Sequence, residues 1–141
     1  VTSPDHDSPD PAAVVREMFA RLSARDFEGV AALLADDVEF DLAYAPAMLP
    51  MPTLGRQAVK DLVVNIIGQI FDPMVLTVTA AYPCADPAMV VCEYASTGTV
   101  KHNGNEYANR YVGIFRVDGI GLVTFWREYH NPEEATRALG A

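Results

Sequence analysis

The second half of the chain most limits what it can fold into. Four segments, 74–82, 88–98, 106–117 and 121–130, are rich in β-branched and aromatic residues, and Pro83, Asn103-Gly104 and Asp118-Gly119 interrupt them with turn chemistry. Strands joined this closely pair most economically with their sequence neighbours, antiparallel. Such a meander needs one face covered, and the first half of the chain carries the cover. Asp10 followed by Pro11 reads as a helix cap with proline at the first helical position, and Val15, Met18, Phe19 and Leu22 form a helical stripe, which predicts a helix over 11–24. Asp26 caps a second, short helix that buries Phe27, Val30, Leu33 and Leu34.

Val38, Phe40 and Leu42 then alternate with Glu39 and Asp41, the period-two pattern of a half-buried strand. Residues 44–54, YAPAMLPMPTL, are apolar yet carry three prolines, so they read as a loop in which Met48, Leu49 and Met51 close one end of a cavity. After Gly55 a third helix presents Val59, Leu62, Val63, Ile66, Ile67 and Ile70 on a wide apolar face. A last short helix is expected from Pro132 to about Gly140. The class is α+β, in the order α-α-β-α-β-β-β-β-α, with residues 1–9 as a flexible tail and 10–141 as one domain.

At 141 residues the chain can bury a full core without a disulfide or metal staple. The ten Lys and Arg against nineteen Asp and Glu leave a net charge of −9, which repels a phosphate backbone and argues against nucleic acid as a partner. No apolar run approaches the roughly 18 residues of a membrane helix, so no membrane partner and a cytoplasmic location are expected. Cys84 and Cys92 lack the spacing of a zinc or redox motif, and no phosphate loop or dinucleotide fingerprint is present, so neither metal nor cofactor is expected.

A two-residue Asp118-Gly119 hairpin would pair Tyr111 with Trp126, Asn109 with Glu128 and Tyr107 with His130, all on one face. The opposite face carries Arg110, Val112, Ile114, Phe125, Arg127 and Tyr129. One face thus lines a cavity beneath the helices, and the other is partly covered in a homodimer. Glu128 stands among aromatic residues, where a carboxylate is costly unless hydrogen-bonded or protonated, so a raised pKa and general acid/base chemistry are within its reach. Asn109 is its expected neighbour. His130, two residues on, is a candidate proton shuttle, and Tyr107, Tyr111, Trp126 and Phe40 are candidate substrate contacts with Met48 and Met51. Glu93, charged in the apolar strand MVVCEYA, faces either the cavity or a dimer partner, since a three-residue loop at 103–105 turns it one way and a two-residue loop the other.

The segments MLPMPTLGRQAV, VVCEY, YANRYVGIFRVDG and FWREYHNPEEATRALG resemble the SnoaL-like branch of the nuclear-transport-factor and ketosteroid-isomerase superfamily over about residues 11–140. The resemblance implies a cone-shaped half-barrel, a curved sheet wrapped around the N-terminal helices. Within that branch the DP-x-x-x-x-x-E strand, Asp86 to Glu93, and the ending REYHN with Arg137 to Leu139 are similar to the phenazine-biosynthesis A/B proteins, which implies Glu128 as the acid/base residue. The proline-rich loop and the acids Glu93 and Glu128 also resemble limonene-epoxide hydrolases, although Val91, Phe40 and Leu42 stand where that family has Arg, Tyr and Asn. The leading expectation is a cofactor-independent isomerase or cyclase acting on a hydrophobic, polyketide-like or aromatic metabolite. The alternatives are an epoxide hydrolase and a non-catalytic binding module.

Overall fold

The computed structural model describes residues 8–140. The expected tail therefore lies, for residues 1–7, outside what is described. Helix α1, Pro11–Ser23, starts where Asp10 accepts a hydrogen bond from the Ala12 amide, and it buries Val15, Met18, Phe19 and Leu22. Helix α2, Phe27–Ala31, is capped by Asp26, whose carboxylate accepts from the Gly29 amide. Any Cβ on Gly29 would lie 2.0 Å from that carboxylate, so the cap requires glycine there.

Six strands follow in one sheet: β1 Leu34–Leu42, β2 Thr53–Leu54, β3 Phe71–Pro83, β4 Met89–Val100, β5 Glu106–Val117 and β6 Val123–Tyr129, ordered β2-β1-β6-β5-β4-β3. The expected meander is present, and β1 closes it by pairing parallel with β6, Phe40 opposite Trp126 and Leu42 opposite Glu128. Strand β2 is an addition to the sequence reading. It forms from the last two residues of the proline-rich segment, just beyond the prolines that lack a donor for a ladder. Strand β3 starts earlier than expected, across Pro73. Proline is tolerated there because β3 is an edge strand, and α1 covers that edge, with Ser23 Oγ accepting from the Leu76 amide at 2.9 Å.

Between β2 and β3 lie α3, Arg56–Val63, and a π-helical turn, Val64–Gly68. Arg25, held in the left-handed region at φ 61°, donates to the carbonyls of Gly68 at 2.8 Å and Phe71 at 2.9 Å, tying the α1–α2 turn to the end of that irregular segment. Helix α4, Pro132–Leu139, has Asn131 as its N-cap and Gly140, left-handed, at its C-cap. Among the described residues no helix is long and apolar enough to cross a membrane.

The helices cover one face of the sheet. On that inner face Val90, Cys92, Tyr94 and Ser96 of β4 and Tyr107, Asn109, Tyr111, Phe115 and Val117 of β5 are buried, as strict alternation requires. Phe19 of α1 is the hub, with ring centroids 4.6 Å from Tyr94, 5.9 Å from Phe115 and 5.8 Å from Trp126. A second apolar cluster, Phe71, Met74, Val100, Tyr107 and Ala138, forms where α4 meets the far end of the sheet.

Candidate functional site

The β5–β6 connection differs from the expected hairpin, and the difference sets the site. Its loop runs from Asp118 to Leu122: the Asp118 amide donates to the Leu122 carbonyl, while the Asp118 carboxylate accepts from the amides of Ile120 and Leu122. With a bulge at Arg116/Val117, Trp126 pairs with Phe115 and Glu128 with Gly113, four residues along β5 from the sequence reading. Four is even, so every side chain keeps its expected face while its neighbours change.

Glu128 consequently does not meet Asn109. The side chain of Asn109 is consumed elsewhere: its amide donates to the Tyr107 hydroxyl at 2.8 Å and the Asn131 carbonyl at 3.0 Å, and its oxygen accepts from the Asn131 amide at 3.1 Å. It ties β5 to the cap of α4. Tyr94 takes the place expected of Asn109, its hydroxyl donating to Glu128 Oε1. Gly113 makes this possible, because a Cβ there would stand 2.8 Å from the Tyr94 ring and 2.6 Å from Phe115. Neither Tyr94 nor Gly113 emerged from the sequence reading. The available signal was a glycine inside a strand, which often marks a close approach.

Burial raises the Glu128 carboxyl from its ordinary 4.5 to about 7, against the opposing pull of the Tyr94 hydroxyl and the Trp126 indole. The indole N–H lies near enough to favour the charged carboxylate, yet it makes no hydrogen bond of ordinary geometry. Glu128 is surrounded by protein but remains half-accessible, as are the inward-facing Leu42 and His130 and the helix-side Leu62, Ile66 and Ile67, whereas Leu34, Val38 and Val123 toward the other end of the core are sealed. Partial access to these side chains makes this end of the interior the candidate hollow. Glu128 lies on its sheet side.

Beside it runs a seam of neutral polar groups. Tyr94 and Tyr111 stack at 4.9 Å, Ser96 Oγ lies 2.7 Å from the Tyr111 hydroxyl, and Tyr111 and Tyr107 exchange a hydrogen bond at 3.1 Å. Burial pushes the phenols of Tyr94, Tyr107 and Tyr111 upward, so all three stay protonated donors near neutrality. His130 lies past the end of β6, its Nδ1 buried without a protein partner, and burial lowers its pKa.

Of the remaining residues singled out, Phe40 and Trp126 pack edge-to-face at 4.7 Å in the core, and Met51 is half-buried against the same cluster. Met48 is 88% exposed and is not brought to the hollow. Its loop turns it outward from a run of helix-breaking prolines. Glu93 is exposed on the outer face, opposite Val112 and bonded by the Tyr82 hydroxyl at 2.6 Å. The β4–β5 loop, Lys101–Gly104, has four residues rather than two or three, and an even number turns Glu93 away from Glu128. An open depression of about 510 Å³ lies along Ala95, Ser96, Thr97, Ala108, Asn109, Arg110, Asn131 and Glu134, and Glu128 is not among the residues that line it.

The SnoaL-like domain family model matches residues 15–126. The chain belongs to this family. Among curated proteins it is similar to the uncharacterized protein YesE of Bacillus subtilis (strain 168), 25% identical over 126 residues, covering 89% of this chain and 84% of that one. Among solved structures, one from Bacillus subtilis superposes with a TM-score of 0.83 at 22% identity, covering 99% of this chain and 96% of the other. RV0760c from Mycobacterium tuberculosis, solved in complex with estradiol-17beta-hemisuccinate, gives 0.78 at 23% identity, covering 89% and 98%. An M. tuberculosis LEH-like epoxide hydrolase gives 0.73 at 20%, covering 94% and 90%. The architecture of this SnoaL-like chain is the cone of the nuclear-transport-factor-like fold, with, among the described residues, an open, curved, mostly antiparallel sheet and four α-helices.

Proposed function

We propose that this SnoaL-like protein is a cofactor-independent isomerase or cyclase in which Glu128 moves a proton on a hydrophobic small metabolite. The observation that carries this reading is a carboxyl set inside an aromatic core, bonded by the Tyr94 phenol and, among the described residues, in no ion pair, so that burial raises it to about 7. Such a group is half protonated near neutrality, where a general acid or base works best. On an enolisable ketone, ionised Glu128 takes a C–H proton, and the C–H electron pair forms C=C as the carbonyl electrons move to oxygen. The carboxyl now carries the proton and returns it to carbon: at the α carbon this is exchange, and where a β,γ double bond extends the enolate to a dienolate, return at the γ carbon moves that double bond into conjugation without net consumption of any reagent. Tyr94 steadies the carboxylate, and Tyr111 and Tyr107 supply further neutral donors.

A two-acid hydrolytic reading draws no support from the geometry, because Glu93 and Glu128 lie on opposite faces of the sheet. On the outer face Val112, 39% exposed, joins half-buried Ile114, Phe125 and Tyr129 around the Arg127–Asp41 ion pair, and this surface supports the reading of a homodimer. The function is tested by solvent deuterium exchange into 2-decalone, a neutral enolisable ketone, followed by NMR. Exchange by the wild type should exceed that by Glu128→Gln by about 10²- to 10⁴-fold. Equal exchange by the two proteins, with the ketone bound, would make the chain a binder rather than an enzyme.

A further inference from the structure

The outer face of the sheet carries two exposed charged side chains that the proposed chemistry leaves unused, Glu93 on β4 and Arg110 on β5. Glu93 is in register with Val112, and Arg110 with Ala95, so the two stand diagonally, one strand and two residues apart, where long side chains can touch. They do not meet. The Glu93 carboxylate turns the other way, toward β3, and accepts the Tyr82 hydroxyl at 2.6 Å. Among the described residues neither Glu93 nor Arg110 belongs to an ion pair. An acid and a base on one face, each without its counter-charge, form a self-complementary set, because a second copy of the chain offers what each lacks.

The relief of the face has the same symmetry. Beside Arg110 lies the depression of about 510 Å³, whose outward lining includes the short side chains of Ala95, Thr97 and Ala108. Beyond Glu93, in the other direction along the strands, stand the bulkier Val112, Ile114, Phe125 and Tyr129. A two-fold axis lying in the face between Glu93 and Arg110 exchanges these two sides, so it lays the bulky rows of each copy over the depression of the other. We infer that a second copy of this chain docks on the outer face in that register, with each Glu93 paired to the partner's Arg110. The inference rests on the homodimer reading and adds to it the register and the residues that select it. Tyr82 is a positioning residue here, since it holds Glu93 off the arginine of its own chain. Such pairs act mainly on specificity, because like charges brought together by a wrong register cost more than a matched pair contributes.

Sedimentation equilibrium reads the dimer dissociation constant directly. Glu93→Arg sets a new arginine against the partner's Arg110, and Arg110→Glu sets two glutamates together, so each variant alone should dimerise about ten- to a hundredfold more weakly than the wild type. Mixed in equal amounts, the two variants meet only opposite charges and should form a heterodimer within about threefold of wild-type affinity. The double variant Glu93→Arg/Arg110→Glu should recover the homodimer to the same extent. Asp61→Arg, on a helix that packs against the opposite face, changes the net charge equally and should leave the constant within about twofold. Single variants that dimerise as tightly as the wild type, or a mixture and a double variant that stay as weak as the single ones, would overturn the register while leaving a homodimer in place. A wild type that is monomeric at micromolar concentration would remove the homodimer reading, and the inference goes with it.

Discussion

Replacing Glu128 by glutamine should make the protein more stable at pH 8, and the size of the gain follows from its surroundings. In the folded chain the carboxyl titrates near 7, against 4.5 ordinarily. Below pH 4.5 both folded and unfolded states hold the proton, and the group contributes nothing. Between 4.5 and 7 the unfolded chain releases its proton while the folded chain keeps it, so stability falls as pH rises. Above 7 both are ionised and the loss is complete, about 3 kcal/mol at most. Water reaching the half-accessible carboxylate reduces this to roughly 2 kcal/mol. Glutamine keeps an oxygen for the Tyr94 hydroxyl and never ionises, so the variant should match the wild type within about 1 kcal/mol at pH 4.5 and exceed it by roughly 2 kcal/mol at pH 8. Urea unfolding of both proteins across pH 4.5–8.5 isolates this term, because all other groups titrate alike and cancel in the difference. A difference that stays flat with pH, or a variant less stable at pH 8, would show that the carboxyl is not desolvated and would remove the basis of the proposed chemistry.

Other perturbations test the remaining parts. Tyr94→Phe removes the one hydroxyl that favours the ionised form, so the Glu128 midpoint should climb above 7 and the pH profile of deuterium exchange should follow it upward. Gly113→Ala should have the same sign, because its Cβ displaces the Tyr94 ring, and unchanged exchange profiles in both variants would separate Tyr94 from the chemistry. Glu93→Gln, on the outer face, should leave the exchange rate within about twofold; a loss near 10²-fold would restore a two-acid mechanism. If the outer face forms the proposed homodimer, light scattering at micromolar concentration should show a dimer for the wild type and a monomer for Ile114→Asp, and a wild type already monomeric there would refute the assembly.

The elements were legible because periodicity and turn residues speak for themselves: Asp10-Pro11 starts α1, and Pro132 with Gly140 bounds α4. Glu128 was legible as a carboxylate among aromatics. Its partner was not, because the Asp118 loop closes through side-chain bonds to Ile120 and Leu122 rather than as a two-residue turn, and the register moved by four. Asn109 was thereby traded for Tyr94, a residue that sequence proximity hides by placing it next to the outward-facing Glu93. The facing of Glu93 was undecidable from residue types, since it hangs on the parity of a loop whose turn residues allow several lengths. Met48 failed to reach the hollow for a similar reason: hydrophobicity says that a side chain gains from burial, and three prolines decide where the chain can turn.

The central claim is that Glu128 carries a proton into the neutral range, and a direct titration of that carboxyl tests it. With glutamate labelled by ¹³C at Cδ, and the Glu128 resonance identified by its absence in Glu128→Gln, the chemical shift followed from pH 3 to pH 9 should turn over near 7. A midpoint between about 4 and 5, the range of an ordinary solvated glutamate, would contradict the account and leave Glu128 a structural acceptor for Tyr94.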